Sequence, residues 1–427
     1  MLKVVYIIIF LSIAFAYSYI QMTFFKLRTK ENNVLFLMGL LVKIIGALFI
    51  FKLFARPFGD SYEYFYNGQI LRSAFEHDLL LGLKLCFSSP DTWDWDTRVF
   101  GDQFLQHLSN DTDSFMFIKI CFINGILTNN SYLLSTLSFG IISHHLLWRI
   151  FQLTKDKVQM KSIFWFGFIY LWPSTVMWSS GLLKDTIAFW ALAGLFICYL
   201  STCKNLFRFG LALLCVMLLF SLKAYLFLLL FFLALIVFGA YYGSKILPFS
   251  KQINVTIIAS SLLLIILSFL VLSANQQHFW GHYQIDGILG YIHGIENWNT
   301  RPGQNTSFHY GDAPWTISKL IWTAPLALIT GLFRPFPWEL TSSLMLVFSL
   351  ESLSFLGLLI IAVRNYTLDQ FKAFIKDPKV LFVLLAIIAF AYLLGMTTFN
   401  FGALSRYKTP LYLMVIVLVY FIKRKKK

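Results

Sequence analysis

Charge is scarce in this chain. Asp, Glu, Lys and Arg make up 13% of its 427 residues, 58% are hydrophobic, and the mean hydropathy is +0.70. Length alone would allow two or three soluble domains, but many windows of about 18 residues carry no charge, which is the pattern of membrane-spanning helices. Cysteine is also sparse: five residues, none in a CxxC pair, which argues against a disulfide framework or a metal-thiolate site. Nucleotide-driven and serine-hydrolase chemistry lack support, because no Walker loop, dinucleotide fingerprint, zinc-protease motif or GxSxG elbow is present. Acidic residues are the scarcer charge, giving a net charge of +15. The basic residues sit in short loops between apolar segments and in the Lys423–Lys427 tail, which fits the positive-inside rule and a tail facing anionic headgroups, not nucleic acid.

What is present is a series of apolar segments. They predict an all-α, polytopic transmembrane helical bundle, a single integral membrane domain over 1–427 with about eleven spans. The expected spans are 4–22, 34–54, 131–153, 162–180, 186–202, 208–222, 224–242, 252–274, 340–363, 380–396 and 409–422. With the N-terminus outside and the C-terminus cytoplasmic, the loops carrying Lys155, Lys157 and Lys161, Lys204 and Arg208, Lys245 and Lys251, and Arg364, Lys372, Lys376 and Lys379 share one side. The apolar stretches 115–127 and 315–333, the second containing Pro325, read as helices lying along or dipping into the outer surface. If either crosses fully, everything after it inverts.

Two outer loops follow. The first, 55–114, holds ten of the twenty acidic residues, and the second, about 275–335, contains the partly embedded helix and is rich in His and aromatics: His278, Trp280, His282, Tyr283, His293, Trp298, His309 and Tyr310. In "ARPFGDSYEYFYNGQ" (55–69), Asp60 begins a predicted helix with Glu63, Tyr64 and Asn67 on one face. Asp60 and Glu63 read either as a general base with its neighbour or as an N-cap with its capping-box partner. Within "GLLKDTIAFW" (181–190), Asp185 is an ordinary helix-start acid. Lys184 is a cation on the side where cations are scarce. Arg56, Arg72, Lys223, Arg301, Arg334, Arg406 and Lys408 share its expected level. One by one such cations snorkel or pair; as a set they suit a lipid phosphate. In "FRPFPWE" (333–339) and "NFGALSRYKTP" (400–410), Arg and aromatics stand at expected helix ends, an anchor in an aromatic belt or a phosphate site. Asp91, Asp94 and Asp96 supply oxygen ligands for a divalent cation, or simply a solvated acidic loop. Lys43 and Glu351 fall near the middle of two expected spans, at depths compatible with a buried pair.

Taken together, "GDSYEYFYNGQ", "IKICFINGILTNNSYLLSTLSFG", "PSTVMWSSGLLKDTIAF", "LFRPFPWE" and "NFGALSRYKTP" resemble the GT-C superfamily of polytopic glycosyltransferases, in particular bacterial cell-surface polysaccharide enzymes. The resemblance implies a GT-C-like fold in the bacterial plasma membrane. It also implies sugar transfer at the outer face from a polyprenyl-phosphate donor to a lipid-linked or cell-surface glycan acceptor. Carried over, Asp60 with Glu63 would be catalytic. Lys184, Arg334, Arg406, Lys408 and Arg56 would meet the lipid phosphate. Asp60 follows the second expected span, whereas the GT-C catalytic Asp usually follows the first, so the carry-over requires an extra N-terminal helix. No cofactor is required, although a divalent cation is compatible. The nearest alternative is an O-antigen or exopolysaccharide polymerase or ligase, in which Arg406 and the other outer arginines would dominate. A lipid-linked glycan transporter fits less well, because no inverted repeat is visible.

Overall fold

The computed structural model describes residues 30–54, 59–87, 112–201, 206–246, 285–301, 306–311, 313–365 and 367–424. Among them every regular element is helical, and the chain divides into two units, one ending at Ala224 and one covering Tyr225–Arg424.

The first unit contains α1 (Lys30–Leu53), α2 (Asp60–His77), α3 (Leu79–Phe87), α4 (Thr112–Leu127), α5 (Tyr132–Thr154), α6 (Ser162–Tyr170), α7 (Pro173–Trp178), α8 (Lys184–Leu200) and α9 (Leu206–Leu222). Local chemistry sets several boundaries. Asn129 and Asn130 have φ of 48° and 53°, a left-handed conformation that Asn tolerates better than most residues. They end α4, and Ser131 then caps α5 by accepting from Leu134 N. The expected span 162–180 is two short helices, because Pro173 lacks the amide needed to continue α6 and instead occupies the first turn of α7.

Helices α1 and α5 run antiparallel. Lys155, just past α5, donates to Asn32 Oδ1 at 2.9 Å near the start of α1, and Ala47 packs against Leu134 and Leu137 toward the other end. Helices α8 and α9 form a second antiparallel pair, with Gly194 making room for Cys215 and Lys223 meeting Asp185. α2, α3 and α4 cover one end of these pairs. Tyr64, Leu71, Phe117 and Cys121 share a buried core with Phe139, Leu182 and Leu222 there.

The second unit contains α10 (Ala224–Ile246, beginning at the boundary), α11 (Ile285–Asn299), α12 (Ile317–Phe333), α13 (Ser343–Asn365), α14 (Leu368–Ile375), α15 (Pro378–Thr397), α16 (Phe401–Tyr407) and α17 (Thr409–Lys423). Its tightest seam joins α12 to α15. A Cβ on Gly331 would collide with the Ala391 carbonyl, and one on Gly395 with the Ala327 carbonyl. Each helix thus offers a small-xxx-small pair to the other, the device that lets helices approach closely when lipid removes the hydrophobic incentive. The reciprocal pairing makes the helices antiparallel and brings the end of α12 alongside the middle of α15.

Among the described residues, four helices are long and apolar enough to cross a membrane: Glu31–Leu53 in α1, Ala224–Tyr242 in α10, Ser343–Ile361 in α13 and Pro378–Thr397 in α15. α16 and α17, bent by 40°, make a fifth if taken as one span. The expectation of about eleven spans is therefore not met in the described residues. The expected spans 4–22 and 252–274 lie outside them. α6 and α7 are too short, and α9 and α12 are shorter apolar helices.

Candidate functional site

The end of the first unit covered by α2–α4 gathers most of the residues singled out around Asp60 and Lys184. Gly59 takes the N-cap of α2 in an extended conformation, and Glu63 N donates to Gly59 O at 3.0 Å. Asp60 is therefore the first helical residue and Glu63 the fourth. The capping-box reading of this pair does not hold, because its acceptor would have to be one residue earlier. Asp60 is still favourably placed for a carboxylate, in the first turn where the helix dipole is positive. Ser61, fully buried, accepts from Tyr132 Oη at 3.0 Å, and Tyr64 meets Phe117 edge-on at 4.9 Å. These contacts hold the start of α2 against α5 and α4 and leave the Asp60 and Glu63 residues half-buried.

Lys184 opens α8 on the same end. Its Nζ donates to Asp113 Oδ2 at 3.0 Å and Ser114 Oγ at 2.9 Å, and lies 5.8 Å from the Tyr64 ring centroid. Tyr64 is four residues beyond Asp60, about one helical turn along the same face. Asp185 meets Lys223 at 3.0 Å, with only 5% and 10% of the two side chains exposed. The consecutive Lys184 and Asp185 thus make ion pairs in two directions, to the start of α4 and to the end of α9. Asp185 does more than open a helix: it neutralises a buried cation.

Arg334, Arg406 and Lys408 belong to the second unit. Arg334 caps α12, and its guanidinium donates to Glu339 Oε1 through Nε at 2.8 Å and also through Nη2, while Glu339 Oε2 accepts from Phe336 N at 2.8 Å. The guanidinium carbon lies 4.3 Å from the Phe308 ring centroid and 5.2 Å from that of Phe401, a cation set against two aromatic rings that stack on each other at 5.1 Å. Lys408 sits at the break between α16 and α17, 2% exposed, and donates to the carbonyls of Arg334 at 2.5 Å and Leu332 at 3.3 Å. Ser352, near the middle of α13, donates to the same Arg334 carbonyl at 3.3 Å. The sequence put Arg334 and Lys408 at outer helix ends. They do lie at helix ends, but alongside the middles of α13 and α15, because α12 stops partway along α15. Arg406 donates from Nη2 to Tyr407 Oη at 3.1 Å.

An aromatic cluster covers this part of the second unit. Residues 306–308 pair with 399–401 through Phe308 N to Phe399 O at 3.0 Å and Phe401 N to Thr306 O at 2.9 Å. Buried Glu296 accepts from Tyr310 N at 3.1 Å and Trp315 Nε1 at 2.5 Å, and Tyr310 Oη donates to Gly395 O at 2.8 Å. Burial pushes the Tyr310 phenol up to about 12, an effect that nearby Glu296 reinforces and Arg334 opposes.

Lys43, fully buried near the middle of α1, donates to Thr175 O at 2.8 Å and Ser179 Oγ at 2.6 Å. Glu351, for its part, acts electrostatically on Lys408. The two residues of the expected pair belong to different units, and the Lys43 ammonium is satisfied within its own. Arg56, the Asp91, Asp94 and Asp96 triad, and His278, Trp280, His282 and Tyr283 lie outside the described residues. Among the described residues no cluster of three His, Cys, Asp or Glu could hold a metal ion.

Asp113, Ser114 and Glu339 were not foreseen as partners. Glu339 had a local signal, five residues from Arg334 across two prolines. Asp113 is 71 residues from Lys184 and had none. Compared with protein-family models, curated proteins and solved structures, the chain matches none.

Proposed function

We propose that this chain is a membrane glycosyltransferase with a GT-C-like arrangement of spans. It moves a sugar from a polyprenyl-phosphate donor to a lipid-linked or cell-surface glycan acceptor at the outer face of the membrane. One observation carries the reading: the half-buried Asp60 stands one turn from Tyr64, whose ring lies beneath the Lys184 ammonium. A carboxylate base and a cation on the same covered end of a helical unit are the two groups that direct displacement needs.

In that reaction Asp60, supported by Glu63, takes the proton of an acceptor hydroxyl as its oxygen bonds to the anomeric carbon. The bond from that carbon to the phosphate oxygen breaks, and the lipid phosphate leaves with the electron pair. Lys184 stabilises the negative charge on the departing phosphate. Its ammonium is held by Asp113 and Ser114, so donor binding shares or displaces the Asp113 contact. In the polymerase or ligase reading Arg406 would carry the site, with Arg334, its guanidinium paired more deeply with Glu339 than Lys184 is with Asp113, in a lesser role.

Asp60→Asn is expected to abolish sugar transfer while leaving membrane insertion and yield unchanged. The measurement is mass spectrometry of lipid-linked glycans from cells carrying either form. Full transfer by the variant would remove Asp60 from the mechanism.

A further inference from the structure

We infer that α14 and the basic residues around it form a docking surface for anionic lipid headgroups. This rests on the chain being a membrane protein and not on sugar transfer.

α14 connects two candidate spans, α13 and α15, where the chain turns around. Its start is fixed by a capping box: Thr367 Oγ1 accepts from Gln370 N at 3.3 Å, and Thr367 N donates to Gln370 Oε1 at 3.0 Å. Two large apolar residues one turn apart, Leu368 and Phe371, are 78% and 48% exposed. Asp369, Gln370 and Lys372 supply the polar residues of the same short helix, and Lys376 is its C-cap.

The charge around it has one dominant sign. Arg364, Lys372, Lys376, Lys379, Lys423 and Arg424 lie on α14 or within the adjoining ends of α13, α15 and α17, against Asp369 and Asp377 among the described residues. That is six basic groups to two acidic ones. Asp377, which caps α15, is met by Arg424 at 3.0 Å, and this contact ties the end of α17 to the start of α15. Exposed Asp369 has only a 3.8 Å contact to Lys372.

An exposed apolar edge flanked by excess positive charge, on a helix joining two spans, suits the headgroup layer. Leu368 and Phe371 would enter the acyl boundary, and the ammonium and guanidinium groups would meet phosphates. A zwitterionic surface would satisfy the apolar edge but leave the charge excess unanswered.

The test uses the full chain in nanodiscs of phosphatidylcholine alone or with one third phosphatidylglycerol. Hydrogen exchange is followed over residues 367–377, and solvent labelling at Leu368→Cys. We expect exchange at least fivefold slower in the anionic discs, a difference that shrinks at high salt and vanishes in the Lys372→Glu/Lys376→Glu variant. Exchange within α15 should not change, showing that the variant is folded. Equal protection in both discs would mean apolar insertion alone, and free exchange with full labelling in both would leave the surface to a soluble partner. Either result overturns the inference without touching sugar transfer. A chain that fails to co-elute with the discs would overturn the membrane reading itself.

Discussion

Lys223 and Asp185 are the residues whose removal should cost the first unit most. Breaking a buried pair leaves one uncompensated charge, typically costing about 3–5 kcal/mol, whereas replacing both partners with apolar residues is often neutral. Lys223→Met and Asp185→Leu are each expected to lower the thermal midpoint in detergent sharply, and the double variant to recover most of the loss. Independent, additive losses would show that the 3.0 Å contact contributes little. Lys184 differs in kind: its pair with Asp113 is partly exposed, at 16% and 34%, so solvent screens it and it can be exchanged for another anion. Position in sequence did not distinguish these two neighbours. Their surroundings did.

At the level of elements, the seam between α12 and α15 has the narrowest tolerance. Gly331→Ala or Gly395→Ala sets a methyl group against a backbone carbonyl of the facing helix, which cannot move aside as a side chain would. Each is expected to lower the thermal midpoint of the purified protein by several degrees. Gly357→Ala, on α13 with nothing near its Cβ position, is the matched control. Equal midpoints for all three variants would mean that the helices separate at no cost. The seam was only half legible in the sequence. "ALITG" and "AYLLG" show the small-residue spacing, but the register that sets Gly331 on Ala391 is a tertiary fact. Pro173 itself is a local signal for the break that divides the expected span 162–180. The end of α12 alongside the middle of α15 had no such signal.

At the scale of the molecule, topology is the question that links the charges to the site. The positive-inside rule assigns the loops carrying Lys157 and Lys376 to the cytoplasm and the Asp113 end of the first unit to the outer face. Cysteines introduced at Lys157 and Lys376 should resist a membrane-impermeant maleimide in intact cells and react after permeabilisation. One at Asn130, beside the start of α5, should react at once. A reversed pattern would invert the proposed site and place Asp60 in the cytoplasm.

The sequence by itself determined that this is an apolar, helical chain with segments long enough to span a membrane and half of its acidic residues within 55–114, because composition and hydropathy act locally and additively. It also marked Asp60 and Lys184 as unusual, since a charge beside long apolar segments is costly enough to need a reason. Only the tertiary structure decided what those charges do. Lys184 reaches Asp113 and Ser114, Asp185 reaches Lys223, Arg334 turns back to Glu339, and Lys43 is held by Thr175 and Ser179. The physical reason is reach: an ion pair forms over about 3 Å in space, whatever the distance along the chain.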